Sequence, residues 1–236
     1  MQPRLNFKNI AMGVGLVYVL LITLDDHEKY FWIDYLFTTC IGLYYYIESG
    51  RKINYKLIAL YIFSCGVESL FIFGFTENYN GIMWFATLLF IVFLIMLYPV
   101  ARETIVSFKE VDMLSSVLGI IGMGYILCYI IYVVLPVVPN KELLIMAVIP
   151  FGIVLLLLIF IPVFNTRINN FNLVIIGGAL FVEMVSGLVS EFLFESYAMV
   201  VATYVASMIY KVVFAVFLLN RMKKDDRNLE LDRVTR

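Results

Sequence analysis

Eight apolar stretches, each close to the length that crosses a lipid bilayer, constrain this chain more than any other feature. About 20 apolar residues in a helix span a hydrocarbon core of roughly 30 Å. A helix also satisfies its own backbone hydrogen bonds where no water is present. The sequence therefore predicts an all-α, polytopic transmembrane bundle of eight helices. The stretches are Ile10–Leu24, Phe31–Ile47, Leu57–Phe75, Ile82–Val100, Met113–Leu135, Leu143–Val163, Phe171–Leu193 and Ala198–Leu219.

Composition agrees with this class and excludes others. Hydrophobic residues make up 63% of the 236 residues and charged residues 15%, against roughly 45–50% and about 25% in soluble domains. The sequence contains no basic cluster of the kind that would indicate a nucleic-acid partner. The three cysteines, Cys40, Cys65 and Cys128, lie inside apolar stretches without a metal-ligand spacing. We interpret them as packing residues and predict neither a metal site nor a cofactor.

The distribution of basic residues predicts the orientation. With the N-terminus inside, fourteen of the seventeen Lys and Arg residues fall on the inner side and two, Lys29 and Lys141, on the outer side. The remaining one, Lys211, lies within a helix. Because positive charge concentrates in cytoplasmic loops, we expect a multi-pass protein of the cytoplasmic membrane with both termini inside. Residues 1–220 are expected to form one transmembrane domain and residues 221–236 a charged, partly disordered cytoplasmic tail.

Three ionisable residues lie at similar depth inside the apolar stretches: Glu68, Glu183 and Lys211. A charge near the bilayer centre costs about 2.5–3.5 kcal/mol on the lenient insertion scale, so pairing within the bundle is favoured. We therefore expect both glutamates to face the interior and Lys211 to lie near at least one of them. With one cation for two acids, one glutamate is expected to carry a proton.

Other interpretations of these residues stay open. Lys211 could extend its long side chain to the inner interface instead of pairing. The glutamates could serve only as hydrogen-bonding groups between helices. Asp34 and Glu191 fall close to the outer ends of their helices, where we expect them to be solvated or to line a vestibule.

The two glutamates occupy matching places in the two halves of the chain. Glu68 lies in the third helix of the first four, and Glu183 in the third helix of the last four, each after a valine. A duplication into two parallel four-helix halves would bring both acids to a central cavity. A matching dipeptide is weak support for such a 4+4 pseudo-repeat.

Several short motifs resemble those of the lysoplasmalogenase (YhhN-like) family, whose members are integral membrane proteins with eight helices. In helices three and four the resemblance rests on Ser64, Gly66, Glu68, Gly81 and Phe85. In helices seven and eight it rests on Gly178, Ala179, Phe181, Glu183 in a shifted register, Thr203, Tyr204, Ala206 and Ser207.

The resemblance implies that the chain binds or hydrolyses a lysophospholipid or lysoplasmalogen in a polar cavity within the membrane, cleaving a vinyl-ether bond. Under this hypothesis Glu68 and Glu183 are the catalytic acid and base, Lys211 completes the catalytic set by holding one of them ionised, and Ser64, Tyr204 and Ser207 bind the substrate. The chain departs from the family at Leu89, where the family has a histidine, and its only histidine, His27, lies in a loop.

Two other functions use the same residues. Buried acids at a repeat interface are typical of transporters that couple a solute to protons, and a proton-coupled carrier of small solutes is therefore the first alternative. The second is a non-catalytic relative that keeps only the fold. Besides membrane lipid and the lysophospholipid, the sequence indicates no partner.

Overall fold

The computed structural model describes the backbone of residues 7–24, 30–103, 113–164, 171–194 and 196–234. Within these ranges it describes all side chains except those of residues 31, 113–117, 164 and 224–234. The described backbone contains eight helices and no strand, which confirms the predicted all-α fold. The eight helices are α1 (Phe7–Leu24), α2 (Phe31–Glu48), α3 (Tyr55–Ile72), α4 (Tyr79–Arg102), α5 (Met113–Val134), α6 (Lys141–Phe164), α7 (Phe171–Phe192) and α8 (Tyr197–Val234).

Six of the eight helices are long and apolar enough to cross a membrane: α1, α3, α4, α6, α7 and α8. This supports a multi-pass membrane protein. The other two are α2, which carries Asp34, Thr38 and Glu48, and α5, whose side chains are described only over Leu118–Val134. For α2 and α5 the crossing itself stays a prediction.

Short polar turns set the ends of several helices. Gly50 and Arg51 both adopt left-handed backbone angles, with φ of 68° and 66°, and reverse the chain between α2 and α3. The Asn54 side chain then accepts a hydrogen bond from the backbone N–H of Leu57, 3.2 Å away, and caps α3. Asn140 does the same for α6 through the backbone N–H groups of Glu142 and Leu143.

Contacts between helix ends define two faces of the bundle. At one face, which we call the tail face, Arg221 on α8 pairs with Glu103 after α4, and Lys223 pairs with Glu48 on α2. At the other, which we call the aromatic face, the rings of Phe75 and Phe192 meet edge to face at 5.2 Å. The distribution of Lys and Arg residues predicts that the tail face is cytoplasmic.

Helix α8 occupies the middle of the packing. It packs most extensively against α7 and also contacts α1 and α2. Helices α3 and α4 pack closely, since a side chain on Gly66 would meet the Phe85 ring at 2.7 Å. The backbones of α3 and α8 lie further apart than those of α3 and α4. The space between α3 and α8 holds polar side chains and a cavity.

The structure differs from the sequence-based expectation in the tail. Helix α8 continues without interruption to Val234, so the end predicted to be partly disordered is helical. The 4+4 repeat stays a prediction. The α3–α4 and α7–α8 pairs both pack closely, but α1 packs closely on α2 whereas α5 touches α6 only slightly.

Candidate functional site

A buried ion network joins α2, α3 and α8 in the interior of the bundle. The Lys211 ammonium donates hydrogen bonds to Asp34 Oδ2 and Glu68 Oε2, both at 2.9 Å, and to Thr38 Oγ1 at 3.2 Å. Lys211 is 0% exposed, Asp34 4% and Glu68 8%. An ammonium has three hydrogens to donate, and the three acceptors use all of them.

Further hydrogen bonds hold Glu68 and Lys211 in place. Ser207 Oγ donates to Glu68 Oε1 at 2.5 Å, and Ser64 Oγ donates to the same oxygen at 3.4 Å. Ser64 also bonds the Tyr210 hydroxyl at 2.6 Å. The Tyr61 hydroxyl donates to the backbone oxygen of Lys211 at 3.1 Å. These bonds join α3 to α8 across the space between them.

A cavity of about 100 Å³ lies beside the network, between α3, α4, α7 and α8. Its polar end is formed by two carboxylates and three hydroxyls: Glu68, Glu183, Thr203, Tyr204 and Ser207. The rest of its wall is apolar and includes Phe71, Phe75, Met83, Leu89, Phe90 and Leu188. A pocket of this kind, apolar with a few convergent polar groups, is typical of small-molecule sites.

The two glutamates of the cavity have different surroundings. Glu68 is bonded to an ammonium, whereas Glu183 has no cation within salt-bridge distance among the described residues. Ser207 lines the cavity together with Glu183 and donates to Glu68. A hydroxyl has one hydrogen. With that hydrogen given to Glu68, Ser207 has none left to donate to Glu183.

Two sequence-based interpretations are wrong. Lys211 does not reach the interface, because its ammonium ends in the buried pairs with Asp34 and Glu68. Asp34 is not solvated near the outer surface but buried in the network. Lys211 lies 14 residues into α8, roughly 21 Å from its start. Asp34 lies three residues into α2. It reaches Lys211 because α2 begins deeper in the bundle, away from the aromatic face.

The remaining predicted site residues fall into two groups. Ser207 and Tyr204 line the cavity, whereas Ser64 lies behind Glu68 and lines no part of it. The Tyr204 ring contacts the Tyr18 ring edge to face at 5.8 Å. Tyr18, 0% exposed, has no hydrogen-bond partner for its hydroxyl among the described residues. Glu191, the other acid expected near the outer surface, is exposed.

The network also contains a set of atoms of the kind that bind metals. The ligand atoms of Asp34, Cys65 and Glu68 lie within 4.8 Å of one another. The Lys211 ammonium already lies 2.9 Å from both carboxylates, so a metal ion bound between them would have to displace it. We interpret this set as the acceptor shell of Lys211, with the Cys65 thiol at its edge.

Sequence reasoning missed Asp34, Thr38 and Tyr210, although a signal for the first two was present. Each helix of the network carries two polar residues four positions apart, which places them on one helix face. These pairs are Asp34 and Thr38 on α2, Ser64 and Glu68 on α3, and Ser207 and Lys211 on α8. For Tyr210 nothing in the sequence distinguishes it from the other tyrosines of the chain.

Comparisons with protein-family models, with curated proteins and with solved structures find no match for this chain. The resemblance to lysoplasmalogenases therefore stays a hypothesis carried by the short motifs. Those motifs occur in four helices. Three of these helices, α3, α7 and α8, also contribute residues to the polar end of the cavity.

Proposed function

We propose that this chain binds a single-chain lipid in the cavity and hydrolyses it between Glu68 and Glu183. One observation carries the proposal: two carboxylates of unequal surroundings meet at the polar end of an otherwise apolar cavity. The apolar wall suits a hydrocarbon chain, and the carboxylates suit the bond that joins the chain to its polar head. An acid and a base in different environments are the usual requirement for hydrolysis by a carboxyl pair.

The surroundings assign a role to each carboxyl. Glu183, which has no cation within salt-bridge distance among the described residues, is the acid that donates a proton to the substrate. Glu68, which accepts hydrogen bonds from Lys211 and Ser207, is the base that takes a proton from the attacking water. Lys211 and Asp34 do not line the cavity, so we assign them to positioning Glu68. The substrate that the resemblance implies is a lysoplasmalogen, whose vinyl ether takes up one water and yields an aldehyde and an alcohol.

The test combines bound lipid with turnover. Purified protein is examined by native mass spectrometry for lipid that copurifies, and it is then incubated with a lysoplasmalogen or with the matching ester lysophospholipid. We expect aldehyde release from the first substrate only. Glu183→Gln and Glu68→Gln should each lower the rate about 10²–10⁴-fold, the usual contribution of a general acid or base. Glu142→Gln, on an exposed acid of α6, is the matched control and should keep full activity.

The alternatives predict other results in the same experiments. Bound lysophospholipid without turnover by the parent protein would support a non-catalytic relative with the same cavity. An absence of bound lipid, together with solute uptake driven by a pH gradient in proteoliposomes, would support the carrier. Either result would overturn hydrolysis as the function.

A further inference from the structure

A second cavity lies between α2 and α3 and has a volume of about 620 Å³. We call it the groove. Its mouth is formed by Lys52, Ile53 and Asn54 in the turn between the two helices, and its deep end reaches Thr38 and Cys65. Eleven residues separate Asn54 from Cys65, so the groove extends roughly 16 Å from the tail face into the bundle. Helices α2 and α3 pack only loosely along it.

The ion network lies between the groove and the first cavity. Thr38 lines the groove and accepts a hydrogen bond from the Lys211 ammonium at 3.2 Å. The same ammonium bonds Glu68 at 2.9 Å, and Glu68 lines the first cavity. One side chain, Lys211, thus connects the two spaces. Among the residues that the structure describes, none lines both spaces.

The groove has a mainly apolar wall, but hydroxyl groups occur along its whole depth. Tyr45, bonded to the Asn54 amide, stands near the mouth. Tyr61, Thr39 and Thr38 follow towards the deep end. A hydrocarbon chain would leave the free lone pairs of these hydroxyls without partners, whereas water can bond them. The mouth lies at the tail face among charged residues, where interfacial water is at hand.

We propose that the groove is a water-filled entry from the tail face to the ion network, and that its ligand is water with the protons that water carries. Water at Thr38 is one side chain away from the cavity that holds Glu68 and Glu183. It can therefore bring protons to the network, and it is the nearest source of the water that hydrolysis consumes. The entry itself does not rest on the proposed hydrolysis.

The native cysteines provide the test. Cys65 lines the groove, Cys40 is buried, and Cys128 is exposed on α5. Because the thiolate is the reactive form and needs hydration, a membrane-impermeant cationic methanethiosulfonate labels only a thiol in contact with water. The variant Cys40→Ala with Cys128→Ala keeps Cys65 alone. Its matched control, Cys40→Ala with Cys65→Ala, keeps Cys128 alone. Both are probed in intact cells and in inside-out vesicles.

We expect the cationic reagent to label Cys65 from the tail face and not from the other side, and to leave Cys128 unlabelled. Gly42 lines the groove, and a side chain there would meet no atom within 4 Å. Gly42→Leu should therefore fill the groove and abolish labelling of Cys65. Gly124→Leu, at an equally open position on α5, should leave it unchanged.

Two results would overturn the proposal. If Cys65 reacts with the uncharged, membrane-permeant N-ethylmaleimide but not with the cationic reagent, the groove is not an open aqueous entry from the tail face. If Cys65 reacts with neither while the protein remains folded by its detergent melting temperature, the groove is closed. Labelling of Cys65 does not depend on enzymatic turnover. An unlabelled Cys65 would therefore contradict the water entry, whereas absent aldehyde release would contradict the hydrolysis.

Discussion

At the scale of single residues, the network is held together by the cost of leaving a charge unpaired away from water. Lys211 is fully buried and meets two carboxylates and a hydroxyl. Replacing a whole buried pair by apolar groups is often neutral, but removing one partner leaves an uncompensated charge. The network therefore makes the fold sensitive to single changes at its members and less sensitive to matched double changes.

Removing Lys211 alone should destabilise the protein by about 3–5 kcal/mol, because Asp34 and Glu68 then repel each other without a cation. Double-mutant cycles on thermal unfolding in detergent should show coupling of Lys211→Met with Glu68→Gln and also with Asp34→Asn. The cycle with Glu183→Gln should be close to additive, within about 0.5 kcal/mol. Additive behaviour at both Asp34 and Glu68 would contradict the network.

At the scale of helices, the close approach of α3 to α4 positions Glu68. Gly66 lies on the α3 surface that faces α4, where any Cβ would meet the Phe85 ring. The glycine lets the two helices approach, and Glu68, two residues further on, is directed towards α8 and the cavity. Helix α2 contributes in another way, since its late start places Asp34 at the depth of Lys211.

Gly66→Ala should lower stability by about 1–3 kcal/mol, as overpacking in a close interface does. Gly124→Ala, at a position with open space around it, is the matched control and should change stability by less than about 1 kcal/mol. Thermal unfolding in detergent measures both. Combining Gly66→Ala with Phe85→Leu should recover part of the loss. An unchanged melting temperature for Gly66→Ala would show that the Phe85 ring moves aside without a loss of stability.

At the scale of the whole molecule, the bundle has two chemically different faces. The tail face carries ion pairs that tie the end of α8 to α2 and α4, through Glu48 and Glu103. The aromatic face is closed by rings of α3, α4 and α7. The first cavity lies in the half of the bundle nearer the aromatic face, and the groove lies in the half nearer the tail face, so the ion network stands between them.

Accessibility of single cysteines tests the orientation in a background without the native ones. Thr76→Cys, at an exposed position near the aromatic face, should react with an impermeant maleimide added to intact cells. Lys223→Cys, exposed at the tail face, should react only after the cells are opened, because basic loops stay in the cytoplasm. Reversed reactivity would place the tail face, and the mouth of the groove, outside.

Much of the fold could be predicted from the sequence because the bilayer restricts what a long apolar stretch can become. Each predicted stretch lies in one observed helix or runs a few residues past its end, and helix ends are the least certain part of such a prediction. The site was only partly predictable. Glu68 and Lys211 stood out because charges in the middle of apolar stretches are rare, whereas Asp34, near the start of its stretch, resembled an ordinary solvated acid.

The sequence by itself determined the helical class, the number of helices and the presence of buried charges, since these follow from local hydrophobicity and from the cost of a charge in hydrocarbon. Only the tertiary structure decided which charges meet. Lys211 could reach Glu68, Glu183 or the interface with equal ease along its own helix. The depth of α2 and the packing of α8 brought Asp34 and Glu68 to it and left Glu183 facing the cavity, with no cation at salt-bridge distance in the part of the chain that the structure describes. Relative depth and rotation depend on contacts between helices far apart in sequence, and no local pattern encodes them.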